Sequence, residues 1–146
     1  MKNLAILVAV FCASGAFAMD ASAQEEKGKP ALWSAISVSS PLIHEHDADY
    51  WGVYFSLVND GDKVIKPQIS SSHLYINGKE PEDWRFVIGN GLRSSYDQGL
   101  PPGKFILFNY SLKDRYFSKP GIYKLYWEGP DFKTAEVVVR VMPKGS

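Results

Sequence analysis

The sequence predicts an all-β protein, an antiparallel β-sandwich of about seven short strands. Apolar and polar side chains alternate in several separate runs, and a period of two is typical of a half-buried strand. Gly, Pro, Asn and Asp interrupt these runs roughly every eight to twelve residues, as turns between strands do. No stretch of useful length shows the period of an amphipathic helix, so we expect few helices.

The best-patterned stretch is residues 101–143, which predicts three consecutive antiparallel strands. Its first strand places Ile106 and Phe108 on one face, but Phe105 and Leu107 make the opposite face apolar as well. The other two strands alternate more regularly, with apolar positions at Tyr123, Leu125, Trp127, Ala135, Val137, Val139 and Val141. Pro-Gly and Gly-Pro pairs between the strands favour tight turns, because they fix φ or permit positive φ.

Gly121, Tyr123 and Leu125 follow one another at a spacing of two within this stretch. The pattern resembles the entry to strand F of immunoglobulin-like domains, where a Gly-x-Tyr corner is followed by a core position. The resemblance covers the last third of the chain, and it implies that the Tyr123 hydroxyl bonds to the backbone just upstream. Leu125 stands where antibody domains carry cysteine, so the resemblance is to the cysteine-free, fibronectin-like relatives of the immunoglobulin-like β-sandwich.

Residues 50–58 predict the other strong strand, with alternate side chains from Trp51 to Leu57 on one apolar face. Weaker patterns predict further strands at 32–38, at 64–69, where Pro67 confines the strand to a sheet edge, and at 73–76. The alternation of Trp84, Phe86 and Ile88 also indicates a strand.

Residues 1–23 have the parts of a secretory signal peptide. Lys2 precedes an apolar run at 4–13 that is too short to span a bilayer, and small residues permit cleavage after Ala18 or Ala23. Residues 24–30 then read as a flexible lead and residues 31–143 as a single domain. The sequence therefore predicts a periplasmic or secreted protein of about 120 residues, enough for one hydrophobic core.

Charge and cysteine content exclude several classes of protein. Lys and Arg together number 16, as do Asp and Glu, so nothing favours nucleic acid or an anionic membrane as a partner. Residues 24–146 contain no apolar run long enough for an integral membrane segment. The only cysteine, Cys12, lies in the predicted signal peptide, so the mature protein can form no intramolecular disulfide.

Candidate chemistry is sparse. A serine nucleophile lacks its Gly-x-Ser-x-Gly setting, and neighbouring acidic residues lie in polar segments, so we predict a non-catalytic protein without a cofactor. His44 and His46 would lie on one side of an extended segment, a spacing that a divalent transition metal can use if the fold recruits Asp49 or His73. The alternative is a solvated polar loop between strands.

Residues 79–103 break the strand rhythm, and long irregular connections often carry binding residues. The predicted contact residues there are Trp84, Arg93, Tyr96 and Asp97. The alternative is a crossover loop closed by one packed aromatic side chain.

Aromatic residues make up 14% of the chain, and some fall on the polar phase of their strands. Tyr54 and Tyr126 would form an exposed patch if their strands are neighbours, as strands C and F are in immunoglobulin-like domains. Such a patch suits a protein interface or the stacking of sugars, although cross-strand pairing alone would also explain it. We therefore predict an accessory or inhibitory module that binds another protein of the cell envelope or exterior, with carbohydrate binding as the alternative and metal binding as a third.

Overall fold

The computed structural model describes residues 32–47, 51–90 and 95–145, and it is all-β with few helices. The predicted signal peptide and flexible lead lie outside these residues. The strands are β1 (Leu32–Val38), β2 (Leu42–Ile43), β3 (Val53–Asn59), β4 (His73–Ile76), β5 (Phe105–Tyr110), β6 (Gly121–Gly129), β7 (Phe132–Lys133) and β8 (Val137–Val141). The short helices are α1 (Trp84–Gly89) and α2 (Lys113–Tyr116).

The described strands form two sheets. One sheet has the order β1-β3-β5 and is antiparallel throughout. The other has the order β2-β8-β6-β4, in which β2 runs parallel to β8, and β7 pairs with β6. No helix among these residues is long and apolar enough to cross a membrane.

The inner faces of the two sheets share one core. Phe55 of β3 packs edge-on against Trp127 of β6, with ring centroids 5.2 Å apart, and stacks on Phe108 of β5. Packing against this core explains the alternation of apolar and polar residues in β3. Each inward residue of the strand is buried, whereas Tyr54 and Val58 point outward. Aromatic rings supply much of the buried area that a domain without disulfides needs.

Two buried tryptophans meet at Ser72. The indole N–H of Trp127 donates to the Ser72 hydroxyl oxygen at 2.8 Å, and that of Trp84 donates to the Ser72 carbonyl at 2.9 Å. The Ser72 hydroxyl in turn donates to the carbonyl of Ile69 at 2.6 Å. Each buried indole N–H therefore has an acceptor, as burial requires.

The Tyr123 hydroxyl donates to the carbonyl of Lys119 at 2.8 Å, so the hydrogen bond to upstream backbone is present. Its ring also packs edge-on against Phe117, which is buried. These contacts hold the turn that precedes β6 against the core.

Two predicted strands are wrong. Residues 84–88 form α1, because Trp84 and Ile88 are four residues apart and share the buried face of one helical turn, whereas Phe86 is 68% exposed. Residues 64–69 contain an isolated bridge between Ile65 and Leu100 and then a turn, since Gln68 adopts a left-handed backbone conformation that no strand continues.

Asp83 connects α1 to α2. Its carboxylate accepts a hydrogen bond from the Tyr116 hydroxyl at 2.8 Å and another from the Arg115 guanidinium. The bond from Tyr116, and then that from Arg115, lowers the pKa of Asp83 below its usual value of 3.8.

We expect Asp83→Asn to lower the free energy of unfolding at neutral pH by less than about 1 kcal/mol, because water screens this partly exposed ion pair. A folded-state pKa below the unfolded-state value stabilises the protein above the unfolded pKa, and that stability is lost as the pH falls through the folded pKa. The melting temperatures of wild type and Asp83→Asn should therefore converge as the pH is lowered from neutral to about pH 2. Asp114→Asn on α2 is the control, and a difference between wild type and Asp83→Asn that persists in acid would contradict this account.

Candidate functional site

The outer face of the β1-β3-β5 sheet is apolar and exposed. Five of its side chains form what we call the apolar face: Trp33 (49% exposed), Tyr54 (36%), Val58 (40%), Phe105 (63%) and Leu107 (60%). They project outward because each alternates with the buried core positions of its strand.

Strand register brings these side chains together from distant parts of the sequence. Val58 lies opposite Trp33 on one side and opposite Phe105 on the other, which makes one apolar row across three strands. In the next row Ser56 lies between Ala35 and Leu107, and in the third Tyr54 lies between Ser37 and Asn109. None of these nine side chains is charged.

The exposed area of the apolar face is about 500 Å², if each large side chain contributes its exposed fraction of a residue area of about 150–250 Å². The largest apolar patch on a typical monomer covers about 300–600 Å² and is often functional. A patch of this size without a charged residue costs solubility, so it calls for an explanation beyond folding.

The outer face of the other sheet is built differently. Lys124 pairs with Glu136 at 3.2 Å, and Lys133 pairs with Glu128 at 2.8 Å. The hydrogen bond from Lys133 to Glu128 raises the pKa of that lysine. Leu42, Ile122 and Val138 are exposed on this face as well, but charged residues of both signs lie among them, as suits contact with water.

Tyr54 and Tyr126 do not form a joint patch, because β3 and β6 belong to different sheets. Tyr54 belongs to the apolar face. Tyr126 lies on the charged face, where its ring stacks on Tyr75 with centroids 4.7 Å apart and Lys133 lies 4.5 Å from its centroid. Tyr75 and Lys133 reach it from strands that pair with opposite edges of β6.

The predicted contact residues of the long connection differ in their burial. Trp84 is fully buried, so it belongs to the core and cannot contact a partner in this fold. Tyr96 and Asp97 lie half-buried in a 3-10 turn at Ser95–Asp97, and Tyr96 packs against the core. Arg93 lies outside the described residues.

His44 and His46 lie at a 3-10 turn, Glu45–Asp47, so the extended segment that the metal-binding prediction assumed is not present. Their rings stack with centroids 5.5 Å apart. The backbone N–H of His44 donates to the Asp47 carboxylate at 2.7 Å, and this bond lowers the pKa of Asp47.

The histidines acquire no further metal ligand within the described ranges, which contain no group of three or more His, Cys, Asp or Glu that could hold a metal ion. His73 pairs with Glu80 at 2.8 Å on β4, at the opposite edge of its sheet from β2. Asp49 lies outside the described residues. Metal binding by His44 and His46 stays a prediction with two ligands, fewer than a structural or catalytic zinc site uses.

No protein-family model matches the chain, and no match to a curated protein or to a solved structure was found. The chemistry of the surface itself is therefore the evidence on function. Sequence reasoning missed Trp33 and Val58 as surface residues, although Phe105 and Leu107 already made both faces of one strand apolar. That double-sided pattern was the available signal.

Proposed function

We propose that this chain is an exported, non-catalytic module that binds another protein through the apolar face. The observation that carries the proposal is the contrast between the two outer faces, one uncharged and apolar and the other crossed by ion pairs. Protein interfaces have a core depleted in charge and rich in aromatic residues, and Trp33, Tyr54 and Phe105 supply such a centre. A partner of the cell envelope or exterior would remove these side chains from water.

The finer fold assignment belongs to the same proposal. An immunoglobulin-like sandwich places its strands in two sheets joined by crossover connections, with a tyrosine corner before strand F. The strand orders β1-β3-β5 and β2-β8-β6-β4 support an immunoglobulin-like assignment. The hydrogen bond from the Tyr123 hydroxyl to the Lys119 carbonyl supports it as well. Such a scaffold presents a rigid sheet face to an accessory or inhibitory partner.

Export is supported by the sequence of residues 1–23. The intact mass of the protein recovered from the periplasm or medium tests it, and we expect the mass after cleavage behind Ala18 or Ala23. Recovery of the full-length chain in the cytoplasm alone would contradict export.

Carbohydrate binding has less support. The Tyr126 ring already stacks on Tyr75 and has the Lys133 ammonium group 4.5 Å from its centroid, so these contacts compete with a sugar for the ring. Tyr54 lies on the other sheet and cannot complete a shared platform with it.

A photo-crosslinking amino acid at Ser56, near the centre of the apolar face, should capture a partner in cells that produce the protein. The same probe at Lys124, on the charged face, is the positional control. Equal capture from both positions would count against the apolar face as the binding surface.

We expect Val58→Lys to reduce recovery of that partner at least about tenfold, because an unpaired ammonium group at the centre of an apolar interface costs more than about 1.4 kcal/mol. Val138→Lys is the matched control, since Val138 is also a partly exposed strand valine but lies on the charged face. Both variants should keep the wild-type melting temperature. Undiminished recovery with Val58→Lys would refute the proposed surface.

A further inference from the structure

Strand β5 lies at one edge of its sheet in the part of the chain that the structure describes. It pairs with β3 on one side, and within the described ranges no strand pairs with the other side. The exposed fractions of the apolar face are also highest on β5, at Phe105 and Leu107, beside the position that a fourth strand would occupy.

The direction of the backbone groups at this edge follows from the ladder. The Asn59 N–H donates to the Lys104 carbonyl at 3.0 Å, and bonded positions alternate along an antiparallel pair. Ile106, Phe108 and Tyr110 therefore bond toward β3. The backbone N–H and C=O groups of Phe105, Leu107 and Asn109 point away from the sheet.

Proteins usually protect such an edge with charged residues, proline or a bulge. Strand β5 has the sequence FILFNY, which contains none of the charged residues and no proline. Its register with β3 is continuous from Phe105 to Tyr110, without a bulge. The edge is therefore a template for another strand.

We propose that a second copy of this chain occupies the edge, with β5 pairing antiparallel to β5 around a twofold axis at Leu107. Leu107 then lies opposite its own copy, and Phe105 lies opposite Asn109 of the other chain. This register uses every outward-pointing backbone group of the strand, in about six main-chain hydrogen bonds. It brings no charged side chain of β5 against another, because the strand has none.

The dimer also accounts for the size of the apolar face, an argument that rests on the proposed function. One partner of a standard interface contributes about 800 Å², more than the roughly 500 Å² that a single apolar face offers. A twofold axis perpendicular to the sheet sets both apolar faces on the same side of one six-stranded sheet. The doubled surface reaches the area that a stable protein partner requires.

Sedimentation velocity of the purified protein, expressed from residues 1–146, tests the dimer. The average mass should rise from monomer toward dimer as the concentration increases through the micromolar range. Leu107→Pro should weaken dimerisation at least about tenfold while sheet β1-β3-β5 persists, because the Leu107 N–H is outside the β3 ladder and an edge position tolerates proline. Leu107→Lys places two ammonium groups at the twofold axis and should weaken dimerisation by a similar factor. This second variant keeps the test decisive if the proline variant fails to fold.

Oxidative crosslinking gives the register. Leu107→Cys should form a disulfide-linked dimer, because paired residues of this type have Cα atoms about 5.5 Å apart, within disulfide range. Val138→Cys on the charged face should remain monomeric. The protein without an added cysteine is the control for crosslinking through Cys12.

A monomer at every concentration would overturn the proposed dimer. A dimer that is lost in Val58→Lys but persists in Leu107→Pro would overturn it as well. The second result would indicate face-to-face association instead. Partner recovery separates the two proposals, since Val58→Lys leaves the edge untouched. If Val58→Lys loses the captured partner while the protein sediments as a monomer, the dimer fails and the proposed function stands.

Discussion

Trp84→Ala should lower the free energy of unfolding by about 3–5 kcal/mol, the usual cost of truncating a fully buried aromatic side chain. The indole has no exposed surface, and its ring packs against Phe55 and Tyr110 with centroids 5.7 and 6.1 Å away. Truncation leaves a cavity under α1 and removes the hydrogen bond to the Ser72 carbonyl. Urea unfolding followed by circular dichroism measures the loss.

Phe86→Ala on the same helix is the control, because Phe86 is 68% exposed and its truncation should change stability by less than about 0.5 kcal/mol. Equal effects of the two substitutions would mean that α1 does not present Trp84 to the core. A small loss of stability together with a loss of partner binding would restore Trp84 as a contact residue.

Ser72→Ala should cost about 2 kcal/mol, although it removes only one oxygen atom. The Trp127 indole N–H, which is fully buried, would lose its acceptor and keep the desolvation penalty of an unpaired donor. The Ile69 carbonyl would lose the Ser72 hydroxyl as a donor but keep the Ser72 backbone N–H. The expected result is a lower urea midpoint with an unchanged slope, since the unfolding transition exposes the same surface.

Ser71→Ala is the control for this substitution, because Ser71 is the exposed neighbour and removal of its hydroxyl should change stability by less than about 0.5 kcal/mol. If Ser72→Ala unfolds at the wild-type midpoint, another group must satisfy the Trp127 indole. The shared role of Ser72 at two tryptophans would then be wrong.

Strands with one buried face could be predicted from the sequence. In β3, β6 and β8 the buried residues repeat at a period of two, because that face packs against the opposite sheet. The corner before β6 was also predictable, since the tyrosine and the glycine that begin it are local signals. These features depend on residues that are close in sequence.

The errors occurred where two periods fit the same residues. Trp84, Phe86 and Ile88 satisfy a period of two, but the spacing of four between Trp84 and Ile88 also matches a helical turn. Burial of both residues selects the helix, with Trp84 packed on Phe55 and bonded to the Ser72 carbonyl. At residues 64–69 the left-handed Gln68 ends any extended run, and its conformation is not encoded by an apolar pattern.

The candidate site was the hardest part to predict. The irregular connection from residue 79 to residue 103 was predicted to be a binding loop, yet its tryptophan is buried, and Tyr96 and Asp97 are half-buried in a 3-10 turn. The apolar face instead combines Trp33, Val58 and Phe105, which lie far apart in the chain. Only strand register makes them neighbours.

By itself, the sequence determined that the protein is all-β, which faces of its best strands are apolar, and that Phe105 and Leu107 make β5 apolar on both sides. Side-chain alternation is a local consequence of strand geometry, so it can be read from consecutive residues. The tertiary structure alone decided which strands are neighbours, that Tyr54 and Tyr126 lie on different sheets, and that β5 is an edge. Strand pairing is a non-local choice, made by the packing of a shared core, and the position of a surface patch follows from that choice.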